Sequence, residues 1–462
     1  MLEHSIIWNV FSTFLDGNLD GSFGDNNLEI MNKGTVFKDF TKYVSLNVLG
    51  MICISCYILV DTIFIAMALG SNGLAALNIS ISVFGVLLGV GLMIGIGGAT
   101  QYSILKSREG SADSVFTHSL AAGLVAAVIL VIIGALFITP LAKMLGADAD
   151  TLPMTVAYMQ TMLYFAPFFI LNSILTAFIR NDNNPKLAMS GMVVGSVSNI
   201  VLDYVFLFPL SMGMFGAALA TGLSLVLSVC VLSLHFWNSN NQLGLCKCKI
   251  SVKRLLNIFL LGSSAMVNEF SFTITLVTFN LVILGIEGNI GVAAFGVVAN
   301  IAVVAIAIFT GVAQGIQPLI SKGHGSGDNV LVRQTLKYAM VSVTMLAFIM
   351  YGVAYFNSGA IVSAFNSEEN ATLASLAVSG IEIYFAGFAF AGVNIVAAAF
   401  LSAADSAKAA LVISVLRGCV IIVPMVIISS VAWGMDGVWF SFVLTELIVC
   451  VLSVILFVRK LR

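Results

Sequence analysis

A chain of 462 residues with 60% of its positions hydrophobic and only 9% charged is too apolar for a soluble domain, in which about 25% of residues carry charge. The mean hydropathy of +1.07 agrees. A formal net charge of −2 leaves no basic patch for a nucleic acid, so the composition indicates a polytopic membrane protein.

The first forty residues hold no long apolar stretch, so no cleavable signal peptide is expected. They do hold Asp16-Gly-Asn18-Leu-Asp20-Gly21-Ser22-Phe23, which fits the opening positions of an EF-hand calcium loop. Asn27 stands where that loop needs a bidentate Glu. An Asx- and Gly-rich loop is therefore expected, with Asp16, Asn18 and Asp20 as a weak calcium candidate.

Twelve apolar spans follow, at about 43–69, 73–101, 115–138, 154–179, 187–209, 214–237, 255–284, 290–320, 334–356, 371–401, 409–433 and 437–458. Lys33, Lys38, Lys42, Lys106, Arg180, Lys186, Lys253, Lys322, Lys337, Lys408 and Arg459 all fall on one side of the alternating topology. By the positive-inside rule that side is the cytoplasm, and both termini are expected there. Lys143 is the exception. Cys53 and Cys56 form a CxxC inside the first span without a nearby His, so small buried apolar residues are expected rather than a zinc or redox site.

The chain also repeats itself. Ala177-Phe178-Ile179 with Lys186 recurs as Ala399-Phe400-Leu401 with Lys408, and Leu74-Ala75-Ala76-Leu77 is echoed by Val292-Ala293-Ala294-Phe295. The fold expected is all-α, with twelve transmembrane helices in two pseudo-symmetric six-helix bundles. The expected boundaries are a cytoplasmic extension at 1–42, a first bundle at 43–237, a cytoplasmic linker at 238–254 and a second bundle at 255–462. Substrate would pass between the halves.

Carboxylates inside apolar spans cost about 2.5–3.5 kcal/mol on insertion scales and are usually tied to an ion, a proton or a substrate. Counting residues from the loops places Asp61, Asp203 and Thr221 at similar depth below the outer face, with Asn199 one turn from Asp203 on the same helical face. Such oxygens suit a proton or sodium site; the alternative is that they hydrogen-bond separately for helix packing. Glu269 and Glu382 are further intramembrane acids that could serve substrate or a second ion site. Glu446 and Arg417, on adjacent spans, are read as a structural pair.

These residues resemble the multidrug and toxic compound extrusion (MATE) transporters over 41–458. The resemblance rests on Val60-Asp61-Thr62-Ile63-Phe64, on Arg180-Asn-Asp-Asn-Asn-Pro185-Lys186 followed by Asn199-Ile-Val-Leu-Asp203 and Gly213-Met-Phe-Gly216, and on Gln317-Pro318-Leu319-Ile320. It implies a bacterial-type antiporter in the inner cell membrane, exporting organic cations or other amphipathic drugs in exchange for protons or sodium ions. No cofactor and no enzymatic activity are implied. Asp61, Asn199, Asp203 and Thr221 match that family's cation site, and Glu269 matches an acid of its seventh helix. Some members bend helix one at a proline, whereas this chain has no Pro before Pro140. A lipid-linked oligosaccharide flippase of related fold is the alternative, disfavoured because only Arg417 is clearly basic at mid-membrane. An intramembrane protease reading of Gly325-Ser-Gly327-Asp328 is weaker, since that Asp lacks a partner at matching depth. A monomer is expected, because a closed twelve-helix unit needs no partner.

Overall fold

The computed structural model describes residues 26–109, 112–239, 241–366 and 370–461. The calcium-loop candidate Asp16, Asn18 and Asp20 lies outside them. Among the described residues no group of three or more His, Cys, Asp or Glu is placed to hold a metal.

The first helical stretch, Asn26–Glu109, is interrupted at Gly70 (φ 66°, ψ −155°), giving α1 (26–69) and α2 (71–109). At about 1.5 Å per residue an unbroken helix of this length would exceed the thickness of a bilayer severalfold, so the chain must reverse there. Glycine tolerates the positive φ that the reversal requires. Then come α3 Asp113–Leu136, α4 Ile138–Met144, α5 Leu152–Tyr164, α6 Ala166–Asn181, α7 Pro185–Leu207 and α8 Gly213–Ser233. A second long stretch, Val252–Ser326, breaks at Gly288 (φ 61°, ψ −152°) into α9 (252–287) and α10 (289–326). The remainder is α11 Asn329–Phe356, α12 Ser358–Phe365, α13 Ala371–Tyr384, α14 Phe388–Ala403 and α15 Ala407–Val415. Ile422–Leu461 follows, split at Trp433–Gly434 into α16 (422–432) and α17 (435–461).

Taking α5–α6, α13–α14 and α15–α16 each as one interrupted crossing gives six spans per half, in the order expected from the sequence. The α5–α6 pair is bent by 50°. Pro167 explains the bend, because its ring has no N–H to give to the preceding turn and crowds that turn's carbonyl.

The two halves repeat at the level of single dihedrals. Gly70 and Gly288 share one conformation, and Asn183 (φ 61°) and Asp405 (φ 59°) both take the left-handed turn between the fourth and fifth spans of their halves. Asn and Asp tolerate that region better than other side chains.

Two apolar clusters fill the first half. One is built around Ile65, Leu87, Met159 and Leu207, the other around Ile94, Phe116, Phe178 and Leu232. A third fills the second half, with Trp439, Phe309, Phe388 and Phe400 fully buried, and it takes in Phe40, Tyr43 and Val44 of α1. The first helix thus begins ahead of residue 43, inside the stretch expected to be an extension, and its early turns pack on the opposite half.

One local expectation is corrected, and two other stretches are given their structure. Cys56 is exposed and Cys53 half-buried, so this pair lies toward the surface of the bundle rather than in a core. The Gly325-Ser-Gly327-Asp328 pattern is a helix stop followed by a helix start. Gly327 (φ 75°) ends α10, and the Asp328 carboxylate accepts the Leu331 N–H at 2.9 Å to cap α11. The chain between the halves is strapped to the first half: Gln242 N–H donates to Asp182 Oδ2 (2.8 Å), Cys246 N–H to Thr117 Oγ1 (3.1 Å) and Ser251 N–H to His118 Nε2 (2.9 Å).

Candidate functional site

Two sites emerge, joined by α1. The first is enclosed in the first half. Asp203 is fully buried on α7, Asn199 sits one turn away, Asp61 comes from α1 and Thr221 from α8, and none of the four is more than 8% exposed. Asn199 Nδ2 donates to Thr221 Oγ1 (3.2 Å), while the Thr221 hydroxyl donates to the Ala217 carbonyl (3.2 Å). The two carboxyl groups meet closely enough to share a hydrogen bond when one is protonated. As carboxylates they do not satisfy one another: Asp61 Oδ1, both Asp203 oxygens and Asn199 Oδ1 lack a hydrogen-bond partner.

Buried polar atoms are normally paired, and an unpaired buried carboxylate is costly. Four orphaned oxygens converging from two helices, α1 and α7, fit a proton or a small cation, which would replace water with fixed oxygen ligands. Separate packing hydrogen bonds for the two acids are not what the geometry gives. Tyr57, one turn before Asp61, and the buried Tyr158 of α5 lie within electrostatic range of both acids. Neither tyrosine was singled out from the sequence: the i−4 spacing of Tyr57 from Asp61 was a usable signal, whereas Tyr158 carried none because its helix meets the pair only through tertiary packing.

The second site is a cavity of about 370 Å³ between the halves. Its walls come from α1, α2, α9, α10, α14 and the segments around Arg417 and Glu446. Phe84, Phe272, Phe295, Tyr384 and Phe442 supply aromatic faces, while Met51 is the one methionine. The lining is thus aromatic and aliphatic rather than methionine-rich. Glu269 lines this cavity, and Glu382 does not. Glu382 instead sits near the start of α12, where Ser358 Oγ donates to its Oε1 at 3.4 Å. Arg417 and Glu446 pair as expected, Nε to Oε1 at 2.5 Å, but they do so in the cavity wall.

A polar network closes the cavity at the end of the helices that carries most of the Lys and Arg. Arg180, 1% exposed, donates through Nη1 to Asn47 Oδ1 (2.7 Å) and to Gln314 Oε1 (2.9 Å). Asn181 Nδ2 donates to Gln317 Oε1 (3.1 Å), and Gln317 Nε2 to Thr100 Oγ1 (2.7 Å). Beside it, Asp182 receives Lys106 Nζ (2.8 Å), Gln242 N–H (2.8 Å) and His235 Nε2 (2.9 Å). The roles of Arg180, Asn47 and Gln314 were not evident from spacing, since the three lie on different spans.

Glycines bring the helix backbones together at the same end. A Cβ on Gly311 would lie 2.6 Å from Val48 Cα, and one on Gly97 or Gly262 would collide with the carbonyls of Ile258 and Met93 respectively. Small residues permit such close approach between membrane helices.

Two repeated six-span halves, a cavity between them and a buried acid cluster beside it define a membrane transporter rather than an enzyme. Comparison with known proteins makes this specific. The MatE family model matches residues 48–205 and 264–428, and the chain belongs to that family. It is 26% identical to the multidrug export protein MepA of Staphylococcus saprophyticus, over 95% of this chain and 97% of that one. It is 27% identical to MepA of Staphylococcus aureus (strain MRSA252), with the same coverage. Among solved structures, it superposes with a TM-score of 0.87 on a multidrug resistance MATE family transporter in an outward-facing conformation, at 21% identity over 92% of this chain and 95% of that one. A MATE protein crystallised in complex with MaL6 gives 0.86 at 22% identity, over 92% of this chain and 96% of that one. Both support the fold.

Proposed function

We propose that this protein is a secondary antiporter that exports organic cations and related amphipathic drugs in exchange for protons or sodium ions. The observation that carries the proposal is the set of unsatisfied buried oxygens on Asp61, Asn199 and Asp203, held apart from an aromatic-walled cavity that contains Glu269. The MepA relatives, named as multidrug export proteins, support the direction and the kind of cargo.

The mechanism follows from α1, which serves both sites. Met51, Ile54 and Ile58 face the cavity, and Asp61 lies one turn beyond Ile58. Charge compensation at Asp61 and Asp203 removes the cost of two facing carboxylates and favours one packing of α1. A flat cation against Phe84, Phe272 and Glu269 favours another, through cation–π and charge contacts. Each ligand then shifts the equilibrium against the other, which is what exchange requires. The chain would lie in the cell membrane with the Lys- and Arg-rich ends of its helices, and both termini, in the cytoplasm.

The test is efflux of a fluorescent organic cation from proteoliposomes under an imposed proton gradient, then a sodium gradient at fixed pH, each beside Asp61→Asn. Efflux driven by one gradient and abolished in a folded Asp61→Asn protein is expected. Full efflux by that variant would overturn the proposal.

A further inference from the structure

We propose that Arg417 makes the central cavity selective for organic cations that also carry a carboxylate, that is, for flat aromatic zwitterions over pure cations of the same shape. The inference rests on the drug-export reading of the cavity and deepens it.

The observation begins with a backbone irregularity. Leu416–Val420 is a π-helical turn between α15 and α16, closed by a hydrogen bond from Ile421 N–H to the Leu416 carbonyl at 3.0 Å. Pro424 accounts for its position, since it cannot donate to the Val420 carbonyl and its ring crowds that group, so the preceding turn widens. Such turns often mark functional sites, because they re-aim one side chain without ending the helix. Here the side chain is Arg417, which lines the cavity and keeps 16% of its surface accessible.

The guanidinium is only partly used. Its Nε donates to Glu446 Oε1, and Glu446 Oε2 in turn accepts from Asn394 Nδ2 at 2.7 Å, so the carboxylate is occupied on both oxygens. Among the described residues no protein acceptor engages the two Nη groups. A guanidinium edge with parallel N–H donors is the shape that takes a carboxylate in a two-point contact. In a wall that is mostly apolar, that contact would be little weakened by water.

The surroundings define the rest of the ligand. Tyr384 and Phe442 stack at 4.0 Å with an interplanar angle of 8°, and both line the cavity beside Glu446, offering a planar apolar surface. Ser271 of α9 packs directly against Gly418, next to Arg417, whereas Glu269 projects from another face of α9 toward Gly89 of α2 and reaches the cavity from that side. The Ser271 hydroxyl is itself buried and without a hydrogen-bond partner. The cavity therefore presents an acid on its α2–α9 side for an ammonium group and, around Arg417, an aromatic face for a planar body and a free guanidinium edge for a carboxylate. A pure cation would leave that edge unmatched.

The test uses rhodamine B, a zwitterion at neutral pH, and its ethyl ester, a pure cation of the same skeleton. Binding to the purified full chain in detergent is followed by fluorescence anisotropy. The wild type is expected to bind both dyes, the acid about tenfold more tightly. Arg417→Lys keeps the charge but loses the two-point geometry and should reduce that preference; Arg417→Gln with Glu446→Gln removes both charges together and should abolish it while the ester still binds. Wild-type binding of the ester with no preference for the acid, or an equal loss of both dyes in the variants, would overturn the role given to Arg417. Failure of the wild type to bind either dye would instead count against the cavity as a drug site.

Discussion

At the scale of single residues, the chain separates charges that work by being unpaired from charges that are fully paired. Asp203 belongs to the first kind and Asp182 to the second. Burial alone would raise the Asp182 carboxyl, but hydrogen bonds from His235, Lys106 and the Gln242 N–H outweigh it and hold the group below the ordinary carboxylate range. A depressed acid stabilises the fold fully above its unfolded pKa of about 4, and that contribution disappears as pH falls through the folded value. Asp182→Asn should therefore cost about 2 kcal/mol near neutral pH, less than a wholly buried pair because Lys106 is 25% exposed. In thermal melts of detergent-solubilised protein, the gap between wild type and variant should narrow below about pH 4. A gap that is constant with pH would mean that the carboxylate charge is not what the site uses. The intramembrane acids were legible because a charge in an apolar run stands out. Asp182 and Arg180 were not, since they sit at the end of α6 beside a polar turn where charge is unremarkable and only tertiary contacts reveal their partners.

At the scale of elements, the helices are specified by their interruptions as much as by their apolar runs. Gly70 and Gly288 could be read as breaks because glycine acts locally, whereas Pro167 fell inside a span, 154–179, that was read as continuous. The π turn at 416–420 could not, because it depends on Pro424 several residues downstream. The glycines on α2 and α9 are a further example: in sequence they look like ordinary small residues of a membrane helix, yet at Gly97 and Gly262 the two backbones touch. Gly262→Val should keep those helices apart where they cross. Export should fall at least about tenfold, and the variant should still reach the membrane and elute as a folded species on size exclusion. Retained export would mean that the α2–α9 contact is dispensable for the transport cycle.

At the scale of the whole molecule, the two halves meet in a set of polar and close-packed contacts at the basic ends of the helices. There Arg180 bridges Asn47 and Gln314, and Val48 and Val44 lie against Gly311 and Gly315. Alternating access requires this end to separate during each cycle. Asn181 and Gln317, whose side chains meet across this end, can be replaced by cysteines in a background freed of native cysteines and bridged by a short, reducible thiol cross-linker. Cross-linking should stop export, and reduction should restore it. Export that continues under complete cross-linking would show that the two halves need not part here. The repeat of six spans was legible from short echoes such as Ala177-Phe178-Ile179 and Ala399-Phe400-Leu401. The membership of α1 was not, because its early turns join the core of the other half.

That last arrangement bears on how the protein is made. The first helix is synthesised first, yet the apolar partners of Phe40, Tyr43 and Val44 lie on α10 and α11, in the second half of the chain. Until those helices have left the ribosome and inserted, the beginning of α1 has only lipid or a chaperone to cover it. The packing of the earliest element is therefore completed only after the second half of the chain has begun to insert.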